Sequence, residues 1–348
     1  MEERRSESWA RSRFTPDTLN ALLFIKPGSF GDVIHALPCA AGIKRTFPKT
    51  RLTWLVDERW QPLLAGNPHI DETVVFPRQR FRGLGGKLAS IPWAFGLRRL
   101  QPDVALDLQG LLRSGLMARL SGAKRIVGLS DAREGARFFH SEITQVEPGE
   151  HAVRRYLRSL KALGCPPVEN PEFWLPAGEM PGRVPVEEPY VLLHPFARGE
   201  GKSLSASQVT ALCQALQPLK VIVAGMGETP ALPENAIDAL NRTSISEMIW
   251  LIRHAQFAIS VDSGPMHIAA ATQTPLLSIH TWSDPRLVGP FTPQAATEGL
   301  LTSSSTRNAW IWQGGEIRPQ SLTAPSLPPA RSPDDADIAG IAEFVKGR

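Results

Sequence analysis

"ALLFIKPGSFGDVIHALP", residues 21–38, is the stretch on which the reading of the fold turns. Five apolar residues, Ala21 to Ile25, have the length and composition of a buried strand. A glycine-containing turn follows, and helical spacing begins at Asp32. Strand, glycine turn and helix make the first half of a βαβ unit, and such turns ordinarily hold phosphate on free backbone N–H groups. This one has neither the third glycine of a dinucleotide fingerprint nor the Gly-Lys-Ser/Thr ending of a P-loop. It carries a carboxylate, Asp32, in the first turn of the expected helix. Asp32 reads either as a helix cap or as a general base facing a ligand. His35, three residues on, is placed to share its face. Pro38 is expected to kink or break the helix, because it lacks an N–H and its ring crowds the preceding turn.

The same alternation runs outward from this unit. Apolar runs at 22–26, 51–56, 73–76, 104–108 and 125–127 read as strands, with helical spacing at 32–47, 111–120 and 153–163. Eight prolines between 166 and 195 exclude a helix and mark a linker. Alternation then resumes, with strands at 190–194, 220–224, 257–261 and 276–279 and helices at 206–216, 246–253 and 266–271. Residues 302–333 are Ser/Pro-rich and read as irregular, and 334–346 as a last helix capped by Ser332 or Asp334. The expected class is α/β: a loose segment 1–20, a doubly wound domain 21–165, a linker 166–189, a second such domain 190–300 and a tail 301–348. Ligands are expected beyond the carboxyl ends of the strands, in a cleft between the two domains.

Composition narrows the class. The 348 residues are 42% hydrophobic and contain no run of about 18 apolar residues that could span a membrane. The opening "MEERRSESWARSR" has no apolar segment of a secretory signal, and Cys39, Cys165 and Cys213 are odd in number and far apart. These features give the expectation of a reduced, cytoplasmic protein without a disulfide framework or a metal cluster. The net charge of +4 divides into +10 for residues 1–165 and −6 for 166–348. A basic half reads as the seat of an anionic partner, or as an uneven solvated surface.

Four stretches carry candidate chemistry. Gly28-Ser29-Phe30-Gly31-Asp32 is the turn already described. In "SVDSGPMHIAAA", residues 260–271, a strand ends at Asp262-Ser263-Gly264 and a helix carrying His267 follows, with Pro265 suited to its first turn. Such an end offers N–H groups, a hydroxyl and a positive dipole to a diphosphate, and equally reads as an ordinary capped helix. "LLHPFARGEGKS", residues 192–203, presents Arg198 and Lys202, either of which could offset charge on a leaving phosphate. Within this third group, "VIVAGMGETP", residues 221–230, supplements the loop with Glu228 as an acceptor for a sugar hydroxyl. The fourth stretch is basic: residues 73–102 hold Arg78, Arg80, Arg82, Lys87, Arg98 and Arg99, interleaved with Phe81, Trp93 and Phe95, and no acid. It reads as an acidic-lipid surface, a nucleic-acid patch or a helix with a solvated side, and no helix-turn-helix, zinc-finger or RNP motif accompanies it to support nucleic-acid binding.

"SFGDVIHALPCA", then "DLQGLLRSGLMARLSGAKRIVG" with "HAVRRY" downstream, then "SVDSGPMHIAAATQTPLLSIHTWSDPRLVGP" stand in this order along the chain. Together they resemble the ADP-heptose:lipopolysaccharide heptosyltransferases of glycosyltransferase family 9, most of all those that add the first heptose. The resemblance runs from about Leu22 to Phe291. It implies the GT-B fold, two Rossmann-like domains facing a cleft, and an inverting, metal-independent transfer with the ADP-sugar as substrate and no cofactor. It implies Asp32 as catalytic base and Lys202 as the cation at the donor. Asp262, Ser263, Gly264 and His267 match the donor motif, and Thr243 falls at the adenine pocket. Where the family places an aromatic after the lysine, this sequence has Ser203-Leu204. The acceptor side is then assigned to Gly28, Ser29, Gly31, Arg78, Arg80, Arg82 and Arg113, facing an acidic Kdo–lipid A glycolipid at the cytoplasmic face of the inner membrane. Two other readings stand beside it: a related transferase with another donor or acceptor, and a non-catalytic nucleotide- or lipid-binding protein.

Overall fold

The computed structural model describes residues 18–292, 308–322 and 327–348. Most of the loose segment expected at 1–20, residues 293–300 of the expected second domain, and residues 301–307 and 323–326 of the expected tail lie outside these. The chain divides into two compact units, Met1–Trp174 and Leu175–Arg348.

The first unit runs β1 (Ala21–Ile25), α1 (Phe30–Thr46), β2 (Arg51–Asp57), β3 (Glu72–Phe76), α2 (Gly83–Gly96), β4 (Val104–Asp107), α3 (Leu112–Leu120), β5 (Arg125–Leu129), β6 (Glu142–Thr144) and α4 (Ala152–Leu157). Its sheet has the order β3-β2-β1-β4-β5-β6, parallel throughout. Leu22 to Ile25 are buried because both faces of the sheet are covered, which is why the strand reads as an unbroken apolar run. Leu23, Ile25, Leu55, Ala105 and Ile126 of the sheet meet Met117 and Ala118 of α3 and Trp93 of α2 on one side. α1 begins at Phe30, two residues before the expected start, and passes through Pro38 without a break. Every residue from Val33 to Ile43 on that helix is buried, and this packing holds the helix across the missing N–H of Pro38. The helix expected at 153–163 is α-helical only to Leu157, and continues as a 3-10 segment, Arg158–Leu163.

The Pro-rich linker contains no helix, as expected, but it is tied down on each unit. Within the first, Asn67 Nδ2 donates to the Trp174 carbonyl (3.4 Å) and His69 Nε2 meets Glu172 (2.9 Å). Within the second, Arg253 donates to the Leu175 and Pro176 carbonyls (2.9 and 3.1 Å).

The second unit runs β7 (Tyr190–His194), α5 (Ala206–Ala215), β8 (Lys220–Gly225), β9 (Ala236–Leu240), α6 (Ile245–His254), β10 (Phe257–Val261), α7 (Gly264–Thr272), β11 (Leu276–Ile279), α8 (Pro285–Val288), β12 (Ala309–Gln313), β13 (Glu316–Pro319) and α9 (Asp335–Lys346). Its sheet is ordered β13-β12-β11-β10-β7-β8-β9, parallel except for β13. The stretch expected to be irregular, 302–333, therefore contains two strands. They form a hairpin on Gly314-Gly315, both at positive φ (59° and 97°), the backbone that a two-residue hairpin turn requires. β12 is buried along its length beside β11, and α9 lays Ile338, Ile341, Ala342 and Val345 into the same core as Trp310 and Trp312. The tail is thus part of the second domain. Asp334 caps α9, accepting from the Asp337 N–H (2.9 Å).

Candidate active site

In the first unit the residues after each strand gather on the carboxyl edge of one parallel sheet. Asp32 is the third residue of α1, not its N-cap, and both of its oxygens are engaged. Oδ2 accepts from the Ser29 N–H (3.0 Å) and the Ser29 hydroxyl (2.8 Å). Oδ1 accepts from the Tyr156 hydroxyl (2.6 Å) and lies 3.6 Å from Lys26 Nζ. Lys26 closes the group: it is buried, donates to the Leu108 carbonyl (3.1 Å), and sits 4.6 Å from the Tyr156 ring centre.

Burial alone would push the Asp32 carboxyl up, but the Lys26 charge, the Tyr156 hydroxyl, the nearby His35 and the Ser29 N–H outweigh it and hold the pKa well below the usual carboxylate range. The same neighbourhood lowers Lys26, chiefly through burial, and raises Tyr156, through burial and then the Asp32 charge. Asp32 is thus an oriented anion with a third of its side chain open to solvent (33%). His35 is buried and packs edge-on against His151, with ring centres 5.3 Å apart.

The glycine turn is shaped as much by a side chain as for a ligand. A Cβ on Gly28 would come within 3.0 Å of Trp60 Nε1, and Trp60 packs edge-on against Phe30 (5.1 Å). The Gly28 N–H donates to the Gln109 side chain (3.3 Å), tying this turn to the loop after β4. That loop is fixed from beneath by Asp107, which accepts from the Gln109 and Gly110 N–H groups (3.1 and 3.0 Å), the Ser114 hydroxyl (3.1 Å) and, fully buried, His140 Nε2 (3.0 Å). A cavity of about 350 Å³ opens there, lined among others by Gln109, Gly110, Asp131, Arg133 and Arg155. Arg155 pairs with Asp131 (3.0 Å), and its guanidinium lies over the Tyr156 ring (4.9 Å).

The structure brings Gly28, Ser29, Gly31 and Asp32 together and places Arg113 at the start of α3, over the Phe76 ring (5.3 Å). Burial and the Arg78 charge lower the Arg113 pKa, so these two predicted cations lie within electrostatic reach of each other. Arg80 and Arg82 are exposed on the segment between β3 and α2.

The second unit presents its candidates on the carboxyl edge of its own sheet: Arg198 and Lys202 after β7, Glu228 after β8, Thr243 after β9, and Asp262, Ser263 and Gly264 after β10. Ser263 is the N-cap of α7, but its hydroxyl turns back to His194 Nδ1 (3.0 Å) and the Val261 carbonyl (3.1 Å). Ser263 therefore makes no side-chain cap bond to the first-turn amides of α7. Gly225 is confined to glycine, since its φ is +132° and a Cβ would meet His194 at 2.7 Å. His267 is buried on α7. Lys202 lies over the ring of Trp282, 3.9 Å from its centre, so an aromatic partner comes from the loop after β11 rather than from the residues next to the lysine. Arg198 and Glu228 are exposed, and Thr243 sits just before the N-cap of α6, Ser244.

His194 and His280 give this unit a pH signature. Burial lowers each from 6.5 to about 4. Between those values the unfolded chain binds protons that the folded chain does not, so stability is full above pH 6.5 and falls as pH drops towards 4. Asp32 acts in a lower window: its depressed pKa contributes stability above the ordinary 3.8 that is lost only as pH falls below it. Thermal unfolding should therefore show a lower Tm at pH 5 than at pH 7, by an amount equivalent to a few kcal/mol, with the loss reduced in His194→Gln. A flat Tm over that interval would contradict neutral, buried histidines.

The sequence reading missed Lys26, Trp60, Tyr156 and Arg155 in the first unit and His194 and Trp282 in the second. Lys26 had a signal, as a charged residue ending a buried apolar run. Tyr156 reaches Asp32 from 124 positions away and had none beyond its place in "HAVRRY".

The sequence model of glycosyltransferase family 9 (heptosyltransferase) matches residues 94–308. Lipopolysaccharide heptosyltransferase 1 of Salmonella typhimurium is 27% identical over 295 residues, 77% of this chain and 90% of that protein. The protein of the same name from Pseudomonas aeruginosa is 27% identical over 288 residues, 78% of this chain and 81% of its own. Among solved structures, E. coli heptosyltransferase WaaC with ADP superposes with a TM-score of 0.71 at 18% identity, over 94% of this chain and 99% of that one. E. coli ADP-heptose lipopolysaccharide heptosyltransferase II gives 0.68 at 17% identity, over 94% and 98%.

Proposed function

The chain belongs to glycosyltransferase family 9, the heptosyltransferase family, and on that premise we propose that it moves a heptose from ADP-heptose to the Kdo–lipid A inner core of lipopolysaccharide. The fold is that of the GT-B glycosyltransferases, two Rossmann-like domains. The observation that carries the proposal is the Asp32 carboxylate, held ionised and oriented at the carboxyl edge of the first sheet by Lys26, Tyr156 and Ser29.

In this reading Asp32 takes the proton of an acceptor hydroxyl as that oxygen bonds to the anomeric carbon of the donor. The bond from that carbon to the phosphate oxygen breaks, and ADP leaves with the electron pair. A single displacement of this kind inverts the anomeric configuration. The α7 amides, Ser263 and Lys202 receive the charge that grows on the diphosphate. The donor side of the proposal is supported by the N-terminus of α7, where Ser263 makes no side-chain cap bond, and the acceptor side by the excess of cations in the first half of the chain.

No metal is required in this scheme, and among the described residues no three His, Cys, Asp or Glu side chains converge as a ligand set. ADP affinity measured by calorimetry should be the same with and without EDTA. Loss of binding on chelation would overturn the metal-free donor site.

The acceptor is proposed to be acidic, with Kdo carboxylates and lipid A phosphates meeting Arg78, Arg80, Arg82 and Arg113. The protein is proposed to work at the cytoplasmic face of the inner membrane. No helix among the described residues is long and apolar enough to cross one. Each exposed cation near an anionic surface contributes about 1 kcal/mol, so Arg80→Glu/Arg82→Glu should raise the acceptor KM several-fold to tens-fold. ADP affinity should hold, and the effect should shrink as salt rises, because exposed charges are screened beyond roughly 8–10 Å. An unchanged acceptor KM at low salt would mean that these arginines form only a solvated face.

A further inference from the structure

The exposed apolar side chains of the first unit are not scattered. Among its described residues, the large hydrophobic ones that face solvent are Leu88, Ile91, Phe95, Leu112, Leu116 and Phe138. Leu88 (69% exposed), Ile91 and Phe95 (57%) stand at i, i+3 and i+7 on α2, one face of a helix whose other face sends Trp93 into the core. Leu112 and Leu116 stand at i and i+4 on α3, whose Met117 and Ala118 pack into the same core. Phe138, 93% exposed, belongs to the 3-10 turn Ala136–Phe139 beside α3, where a Cβ on Gly135 would lie 3.3 Å from Phe138 and 4.0 Å from Leu112.

Along the segment that carries the α2 and α3 side chains the charge is predominantly positive. Residues 73–130 contain ten Lys and Arg and two acids, Asp103 and Asp107. Asp103 is held by Lys124 (2.8 Å), and Asp107 is buried against His140. Arg78, Arg80, Arg82, Arg98, Arg99, Arg113 and Arg119 are exposed. Glu134, whose charge acts on Arg113, is the exception at the margin.

An apolar helix face among predominantly basic side chains fits an anionic bilayer, which offers a negative surface and an apolar interior in one partner. A second copy of the chain would bring arginine against arginine, a repulsive pairing. We infer that the α2–α3 face is a docking surface for an anionic lipid bilayer, with Leu88, Ile91 and Phe95 entering the boundary between headgroups and acyl chains and the flanking arginines meeting lipid phosphates. The inference deepens the function proposed above, since it rests on an acceptor carried in a membrane.

The test needs no sugar substrate, so its outcome is separable from that of the enzymatic reading. The full chain is sedimented with sucrose-loaded vesicles of phosphatidylethanolamine and phosphatidylglycerol, and with vesicles of phosphatidylcholine alone. Binding should favour the anionic vesicles by about ten-fold or more and weaken with salt. Leu88→Gln/Ile91→Gln/Phe95→Gln, at positions outside the catalytic and sugar-binding machinery, should lose about ten-fold or more of that binding, with ADP affinity and Tm unchanged. Phe95→Gln alone provides the same readout if the triple variant folds poorly. Equal binding to both vesicle types, or undiminished binding of both variants, would overturn the inference. So would a wild-type dimer that the substitutions convert to monomer without any change in lipid binding, which would make this face a protein contact.

Discussion

Asp32→Asn is expected to lower kcat by roughly 10²–10⁴-fold, the usual range for a general base, while ADP binding in the second unit is preserved. Asparagine keeps the shape of the side chain: its amide oxygen can still accept from Ser29, while its NH2 donates to the Tyr156 hydroxyl oxygen in place of accepting from it, so geometry is largely retained and the negative charge is lost. Lys26, buried 3.6 Å from Oδ1, then lacks its counter-charge. A stability loss of about 1–3 kcal/mol should accompany the kinetic one, less than for a fully buried pair because the carboxylate is partly solvated. Calorimetry with ADP counts the folded, donor-competent fraction, and kcat is normalised to it. Near-normal turnover per binding-competent molecule would leave Asp32 as a residue that merely caps the Ser29 N–H.

Lys202→Gln is expected to lower kcat by roughly 10²-fold, the size found when one group that stabilises developing charge is removed. Lys202 is positioned by the Trp282 ring, 66% exposed, rather than by a carboxylate. Its charge is consequently not spent on a protein anion, and it is available to the leaving diphosphate. Because that charge grows as the sugar–phosphate bond breaks, kcat should fall more than donor affinity does. A variant with unchanged kcat and a raised donor KM would assign Lys202 to ground-state binding alone, and one with neither change would remove it from the site.

The parts of this account that could be read from the sequence are those carried by local physics. "ALLFI" and "FAISV" announce buried parallel strands because both faces of such strands are covered, and the glycine turns after them announce helix starts. The breaker rule failed at Pro38, where burial of the whole of α1 from Val33 to Ile43 outweighs one missing hydrogen bond. The hairpin in the tail had a legible signal, Gly314-Gly315 between "AWIWQ" and "EIRP", hidden by the surrounding serines and prolines. The edge strands β6 and β9 are short and partly exposed, so they lack the apolar run that marked the central ones. Among the candidate residues, the sequence placed Asp32, Ser263 and Lys202 after their strands but was silent on what surrounds them. Tyr156 against Asp32, His194 beneath Ser263 and Trp282 beneath Lys202 are contacts between segments far apart in sequence, brought together by the packing of each domain.

Heptosyl transfer itself can be assayed by incubating the purified protein with ADP-heptose and a Kdo–lipid A acceptor, following ADP release together with the mass and anomeric configuration of the product. The account predicts acceptor-dependent ADP release and a glycolipid heavier by one heptosyl group, in the configuration opposite to that of the donor, with both signals lost together in Asp32→Asn. ADP release without a heavier acceptor, or a product that retains the donor's configuration, would contradict it.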